Sequence, residues 1–147
     1  MTANVLNRFE QPASSSQDNP LILEGTVKTG NGQSLKKVYL TASIQDISTA
    51  GQIYVVSPVA GTISKIYSVI NGAIATANSI LTPKIAGTAI TGGAITVAFS
   101  GSAAGDVDSS TPSAANAITA GAAIEIETDG ASSNTVEVVL TIEITLS

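Results

Sequence analysis

Between Thr135 and Leu146 large aliphatic residues recur at every second position. Val136, Val138, Leu140, Ile142, Ile144 and Leu146 form one set, and Thr135, Glu137, Val139, Thr141, Glu143 and Thr145 fill the places between. A strand turns successive side chains to opposite faces, so a period of two gathers the first set on one side, where a helix would scatter it around its circumference. Burying each such side chain is worth about 1.5–3 kcal/mol. The face as a whole then contributes on the order of 10 kcal/mol before chain entropy is set against it. This segment is therefore expected to be a central strand, and the rest of the chain must supply a second layer to cover it.

The same period recurs upstream. Val38, Leu40, Ala42 and Ile44 alternate with Tyr39, Thr41, Ser43 and Gln45. Shorter strands are predicted at Leu21–Thr29, Gln52–Ser57, Gly61–Ile70, Ile80–Ile90, Ile95–Phe99 and Ala123–Thr128. Turns at Gly30-Asn31-Gly32, Asn71-Gly72, Gly92-Gly93 and Asp129-Gly130 separate them. The apolar parity slips by one residue between Ile63 and Ile66, which predicts a β-bulge near Lys65. About eight strands at this spacing make an all-β domain, a β-sandwich or jelly roll. Helix is expected only at Ser113–Ala120, opened by Pro112 and stopped by Gly121.

Residues 1–20 read differently. Gln11 to Pro20 is polar, bounded by prolines and without period, so 1–20 is expected to be an extended N-terminal arm and 21–147 the sandwich domain. Val5, Leu6, Arg8 and Phe9 are the arm's only anchoring cluster. The arm has neither the basic start nor the apolar run of a signal peptide, and no stretch approaches the roughly 18 apolar residues of a membrane span, so no membrane association is expected.

Composition narrows the chemistry. The chain has no Cys and no His, which removes disulfides, thiolate zinc sites and every His-dependent triad. Activation of a Ser or Thr would fall to a Lys. The candidates, Ser64-Lys65 and Pro83-Lys84, place neighbours on opposite faces of strands. Six basic residues against eleven acidic ones give a net charge of −5, which disfavours phosphate binding, so no nucleic-acid partner is expected. Charged residues are only 12% of the chain, and such a neutral, β-branched surface is expected to self-associate unless its faces and edges are covered.

The carboxylates offer two groupings. Asp106 and Asp108 lie in a Ser/Gly/Ala-rich run, residues 100–112, read as a long loop, but they lack the Gly and distal Glu of a calcium loop, and no metal is expected there. Glu125 and Glu127 share one strand face, which the alternation with Ile124 and Ile126 turns to solvent. No catalytic group, metal or cofactor is expected. Val56–Ile63 followed by Asn71-Gly72 is similar to the opening of a biotinyl or lipoyl carrier domain. The Lys of its attachment hairpin is missing, and only the turn chemistry remains.

From Ile53 onward the chain resembles small tailed-phage virion proteins. The matching pieces are Val55–Ile63, Gly87–Gly93, Ser100–Gly105 and Gly121–Ile126, leading to Gly130 and the strand from Val136. The resemblance implies a capsid decoration, or cement, protein that sits as a trimer, less often a dimer, on an HK97-type shell. It implies the major capsid protein as partner, a place on the capsid exterior after synthesis in the bacterial cytoplasm, and an arm that grips the capsomers beneath. A tail-associated or glycan-recognising jelly roll is the alternative. It would want exposed aromatics, and the chain has only Tyr39, Tyr54, Tyr67, Phe9 and Phe99.

Overall fold

A computed structural model describes residues 36–147. The expected arm, with Val5, Leu6, Arg8 and Phe9, the Leu21–Thr29 strand and the Gly30-Asn31-Gly32 turn lie outside the described residues. Val138, Leu140, Ile142 and Ile144 are each fully buried, on strand β10 (Val138–Leu146). This strand lies between β1 (Lys37–Ile44) and β3 (Gly61–Ile70), antiparallel to both. Beyond β3, the same sheet is completed by β7 (Val107–Ser110) and β8 (Ala117–Ile118), which pair with successive parts of β3.

The second sheet holds β2 (Gly51–Val56), β9 (Ala123–Thr128) and β4 (Ser79–Ile85), in that order. Its far edge is again divided, into β5 (Thr88–Ala89) and β6 (Ile95–Val97). The pairings are nested: β1 with β10, β2 with β9, β3 with β7, and β4 with β6. One long hairpin rolled up so that its strands fall alternately into two sheets gives this order, which is the jelly-roll β-sandwich. Between the sheets Ile63, Ile66, Leu81, Ile124 and Ile126 meet the β10 face in a core built of aliphatic side chains.

The bulge falls where the parity slip predicted it. Glu143 pairs with Lys65 and Ile144 with Ile63, so Ser64 is the extra residue and the inward alternation resumes at Ile66. The predicted 80–90 strand is instead a hairpin, turning at Ala86 (φ 49) and Gly87 (φ 77). Both angles are positive, as a type I′ turn needs, and Ala at the first place hid the signal that Asn or Asp usually gives. Pro83 lies between the stretches of β4 that pair with β5 and with β6, where a missing N–H breaks no ladder.

The predicted helix at 113–120 does not form, and the described residues contain no helix. Ile63 N–H donates to the Asn116 carbonyl and the Asn116 amide donates to the Ile63 carbonyl, both at 2.9 Å, which draws the segment onto β3 as β8. Ile118 alone is large and apolar there, and as a strand residue it is buried at 4% exposure. A short helix offers the edge of β3 no such partner. The second half of the predicted 100–112 loop is likewise an edge strand, β7.

One end of the sandwich carries the connections 45–50, 71–78, 98–106 and 129–137. Two of these are pinned together by a buried polar cluster. Thr128 Oγ1 donates to the Ile47 carbonyl at 3.1 Å, Asp129 Oδ1 accepts from Ser79 Oγ and Ile80 N–H, both at 3.0 Å, and Ser79 Oγ also lies 3.3 Å from the Ile47 carbonyl. Burial alone would raise the Asp129 carboxyl, but donation from the Ile80 and Ala131 N–H groups and the Ser79 hydroxyl outweighs it and holds the carboxyl below its ordinary range. Next to it Gly130 has φ 65, and a Cβ there would meet the Ala50 backbone and come within 2.8 Å of the Thr49 carbonyl carbon. Gly130→Ala is therefore expected to destabilise the domain by about 1–3 kcal/mol, from an unfavourable φ together with a backbone collision. Chemical denaturation followed by circular dichroism reads that loss as a lowered midpoint with an unchanged slope.

Candidate functional site

The two sheets present unlike outer faces. On the first, the registers of β1, β10, β3 and β7 align residues in rows across the strands. One row is Ser43, Val139, Val69 and Val107, and the next is Thr41, Thr141, Tyr67 and Ser109. These rows hold no charge, and Val107 is 63% exposed. β-Branched side chains stand here because they fit a pleated surface.

The following row brings Tyr39, Glu143 and Lys65 together. The alternation sets Glu143 on the face opposite the aliphatic set of β10, yet it is only 8% exposed. Lys37 Nζ lies 2.8 Å from Oε1, Tyr39 OH donates to Oε2 at 3.1 Å and Ser64 Oγ donates to Oε1 at 2.7 Å. The bulge makes this possible: Ser64 is turned toward Glu143, while Lys65 sets its ammonium 5.4 Å from the Tyr67 ring centre on the same face. The expectation that Ser64 and Lys65 take opposite faces therefore fails at the bulge, and the tertiary pairing of β3 with β10 is what places both beside Glu143.

On the second sheet one row is Tyr54, Glu125 and Lys84, and the next is Gln52, Glu127 and Thr82. Glu125 and Glu127 share the outer face, as the alternation predicted, with Lys84 facing them across the strand pair. Lys84 Nζ is 2.5 Å from Glu127 Oε2 and 3.9 Å from Glu125 Oε1. The hydrogen bond to Glu127 raises the Lys84 ammonium above its ordinary range, against the opposing effect of burial.

The loop end of the sandwich gathers Asp46, Asp106, Asp108, Asp129 and Glu137 and has no lysine among the described residues. Asp106 Oδ2 accepts from Ala103 N–H at 2.7 Å, so it closes its own turn. Asp108 is raised above its ordinary range by burial, and further by the charge of Asp106. Among the described residues no group of three or more acidic side chains is arranged to hold a metal ion.

Together these features define a jelly-roll β-sandwich with two uncharged rows beside a Lys37–Glu143–Lys65 cluster on one outer face, a Tyr54–Glu125–Lys84 row on the other, and an acidic loop end. No protein-family model matches the chain, and no curated protein matches it. Solved structures similar to it include phage capsid chains. One belongs to the acidic stable capsid structure of Helicobacter pylori bacteriophage KHP30, at 15% identity and a TM-score of 0.50, covering 76% of this chain and 89% of that one. Another belongs to the capsid asymmetric unit of cyanophage Pam1, at 18% identity and a TM-score of 0.47, covering 76% and 84%. A third is CsCBM6-3 from Clostridium stercorarium in complex with cellobiose, at 15% identity and a TM-score of 0.45, covering 83% and 81%. At these identities the likeness is one of fold.

The Glu143 cluster sets a pH dependence. Hydrogen bonds from Lys37 first, then from Ser64 and Tyr39, hold the carboxyl below its ordinary range in the folded protein, against the opposing effect of burial. A depressed folded value contributes stability above the unfolded value of about 4.3, and that stability is lost as pH falls through the folded value. Thermal melts of Glu143→Gln are therefore expected to fall less steeply than the wild type below about pH 4. Asp46 and Asp129, also held low, leave a residual slope.

Proposed function

We propose that the chain is a structural virion protein that binds the outer surface of an HK97-type phage capsid and cements adjacent capsomers against internal DNA pressure. The observation that carries this reading is the pair of uncharged rows on the first sheet, with Val107 standing open at 63% exposure, on a fold shared with a chain of the phage KHP30 capsid. A contiguous neutral patch of β-branched side chains stays soluble best when another protein surface covers it. The low charge of the whole chain suits packing against copies of itself and against a shell.

The proposed partners are the major capsid protein and further copies of the chain, as a trimer or, less often, a dimer. Val5, Leu6, Arg8 and Phe9 serve as the arm's anchors, since an extended segment adds strand pairing and a few side-chain contacts to a rigid body. Weak contacts repeated around a symmetric oligomer then act as one firm attachment.

The test uses empty expanded capsids and two variants, a chain beginning at Leu21 and full-length Val107→Asp. Wild-type protein is expected to bind and to raise the capsid melting temperature. Loss of the arm, or a carboxylate set into the neutral rows, is expected to weaken binding by about tenfold or more, as burial of an uncompensated charge does. Failure of the wild type to bind, or full binding by both variants, would sink the proposal.

A further inference from the structure

At the edge of the Tyr54–Glu125–Lys84 row the second sheet has a groove of about 220 Å³. Tyr54 and Glu125 line one side, and Ile85, Ala86, Ala122 and Ala123 supply apolar walls. Tyr54 is 61% exposed, so the ring is open to a ligand. The Glu125 side chain is only 20% exposed, and the nearest cation among the described residues, Lys84, stands 3.9 Å away, beyond hydrogen-bond reach. That ammonium is committed to Glu127 at 2.5 Å. Glu125 is thus a largely covered carboxylate facing a groove, and among the described residues none donates a hydrogen bond to it, which leaves acceptor capacity for a donor from outside.

Glu125 and Lys84 of this row and Glu127 of the next carry charges that sum to −1, in a chain whose net charge is −5. An anion is repelled. A sugar, which both donates and accepts, would find one carboxylate, one phenol and an ammonium already engaged. A guanidinium fits each feature: it has five donors and no acceptor, pairs with a carboxylate through two parallel bonds and stacks on an aromatic ring. Its methylene stem lies well against apolar walls. The groove is smaller than the roughly 300–1,000 Å³ of sites for drug-sized molecules, which suits a single side chain.

We propose that this groove receives one arginine side chain of a partner protein, its guanidinium stacked on Tyr54 and paired with Glu125. The site lies wholly on the described body and stands whether or not that partner is a capsid. Lys84 acts as an internal competitor, because its ammonium is the cation that Glu125 would otherwise attract.

The experiment is an NMR titration of the isolated full-length protein with N-acetyl-arginine amide as the probe. Its neutral citrulline analogue and cellobiose are the comparison arms. Saturable shifts are expected at the amides of Tyr54, Ala122, Ala123 and Glu125, with a dissociation constant on the order of 1 mM, as a single side chain allows. Glu125→Gln is expected to weaken binding about tenfold, by loss of the charge-assisted bonds. Lys84→Met, which keeps the stem and removes the ammonium, is expected to tighten it. Melting curves of the variants establish that they fold. Absence of saturable shifts, equal binding of the citrulline analogue, an unchanged constant in Glu125→Gln, weaker binding in Lys84→Met, or cellobiose in preference to the arginine amide would each overturn the assignment.

Discussion

The pairing of β10 with β1, the first strand among the described residues, is the contact on which the other layers of the structure rest. β10 carries the most completely buried face of the molecule, and it is held on one side by β1 and on the other by β3. Because the strand pairs are nested, closing this outermost pair requires the inner ones to be in register. The pairing joins residues roughly a hundred positions apart, so its loop-closure entropy is met only when the whole core forms at once. An Ile-rich core suits that demand, since β-branched side chains have little rotamer freedom to lose and pack well on a pleated sheet.

A local irregularity in that frame shapes one outer face. The extra residue at Ser64 does two things at once: it restores the inward alternation at Ile66, and it turns a hydroxyl toward Glu143. A carboxylate as covered as Glu143 costs free energy unless its lone pairs are met, and Ser64, Tyr39 and Lys37 meet them. The beginning of β1, the middle of β3 and the end of β10 are thereby tied by a polar cluster on the outside of the sheet as well as by the core within. Glu125 shows the opposite arrangement, a covered carboxylate whose nearest cation is drawn off by Glu127. The same residue type is structural on one face and open to a ligand on the other, and the geometry of its neighbours makes the difference.

Charge is distributed by the ends of the strands. The connections at one end collect aspartates because these residues cap turns and accept from backbone N–H groups, as Asp46, Asp106 and Asp129 do. The described lysines lie on strands or at the start of β1, away from that end. The acidic end is therefore a by-product of turn chemistry, whereas the neutral rows of the first sheet and the Tyr54 row of the second have no such local cause.

Period-two alternation in the sequence by itself determined the all-β class, the boundaries of β3 and β9, the inward set of β10 and the place of the bulge. Each of these follows from covalent alternation along a strand, which needs no knowledge of the partner. What only the tertiary structure decided is how strands meet: the Ala86-Gly87 hairpin, the drawing of Asn116–Ile118 onto β3 instead of into a helix, and the strand in Val107–Ser110. Short edge segments carry too few apolar residues to show a period, and the edge they complete stabilises them. The rows on the outer faces were equally hidden. Tyr54, Glu125 and Lys84 are far apart along the chain, and only register, set by the buried faces behind them, brings an aromatic ring, a carboxylate and a competing ammonium into one line.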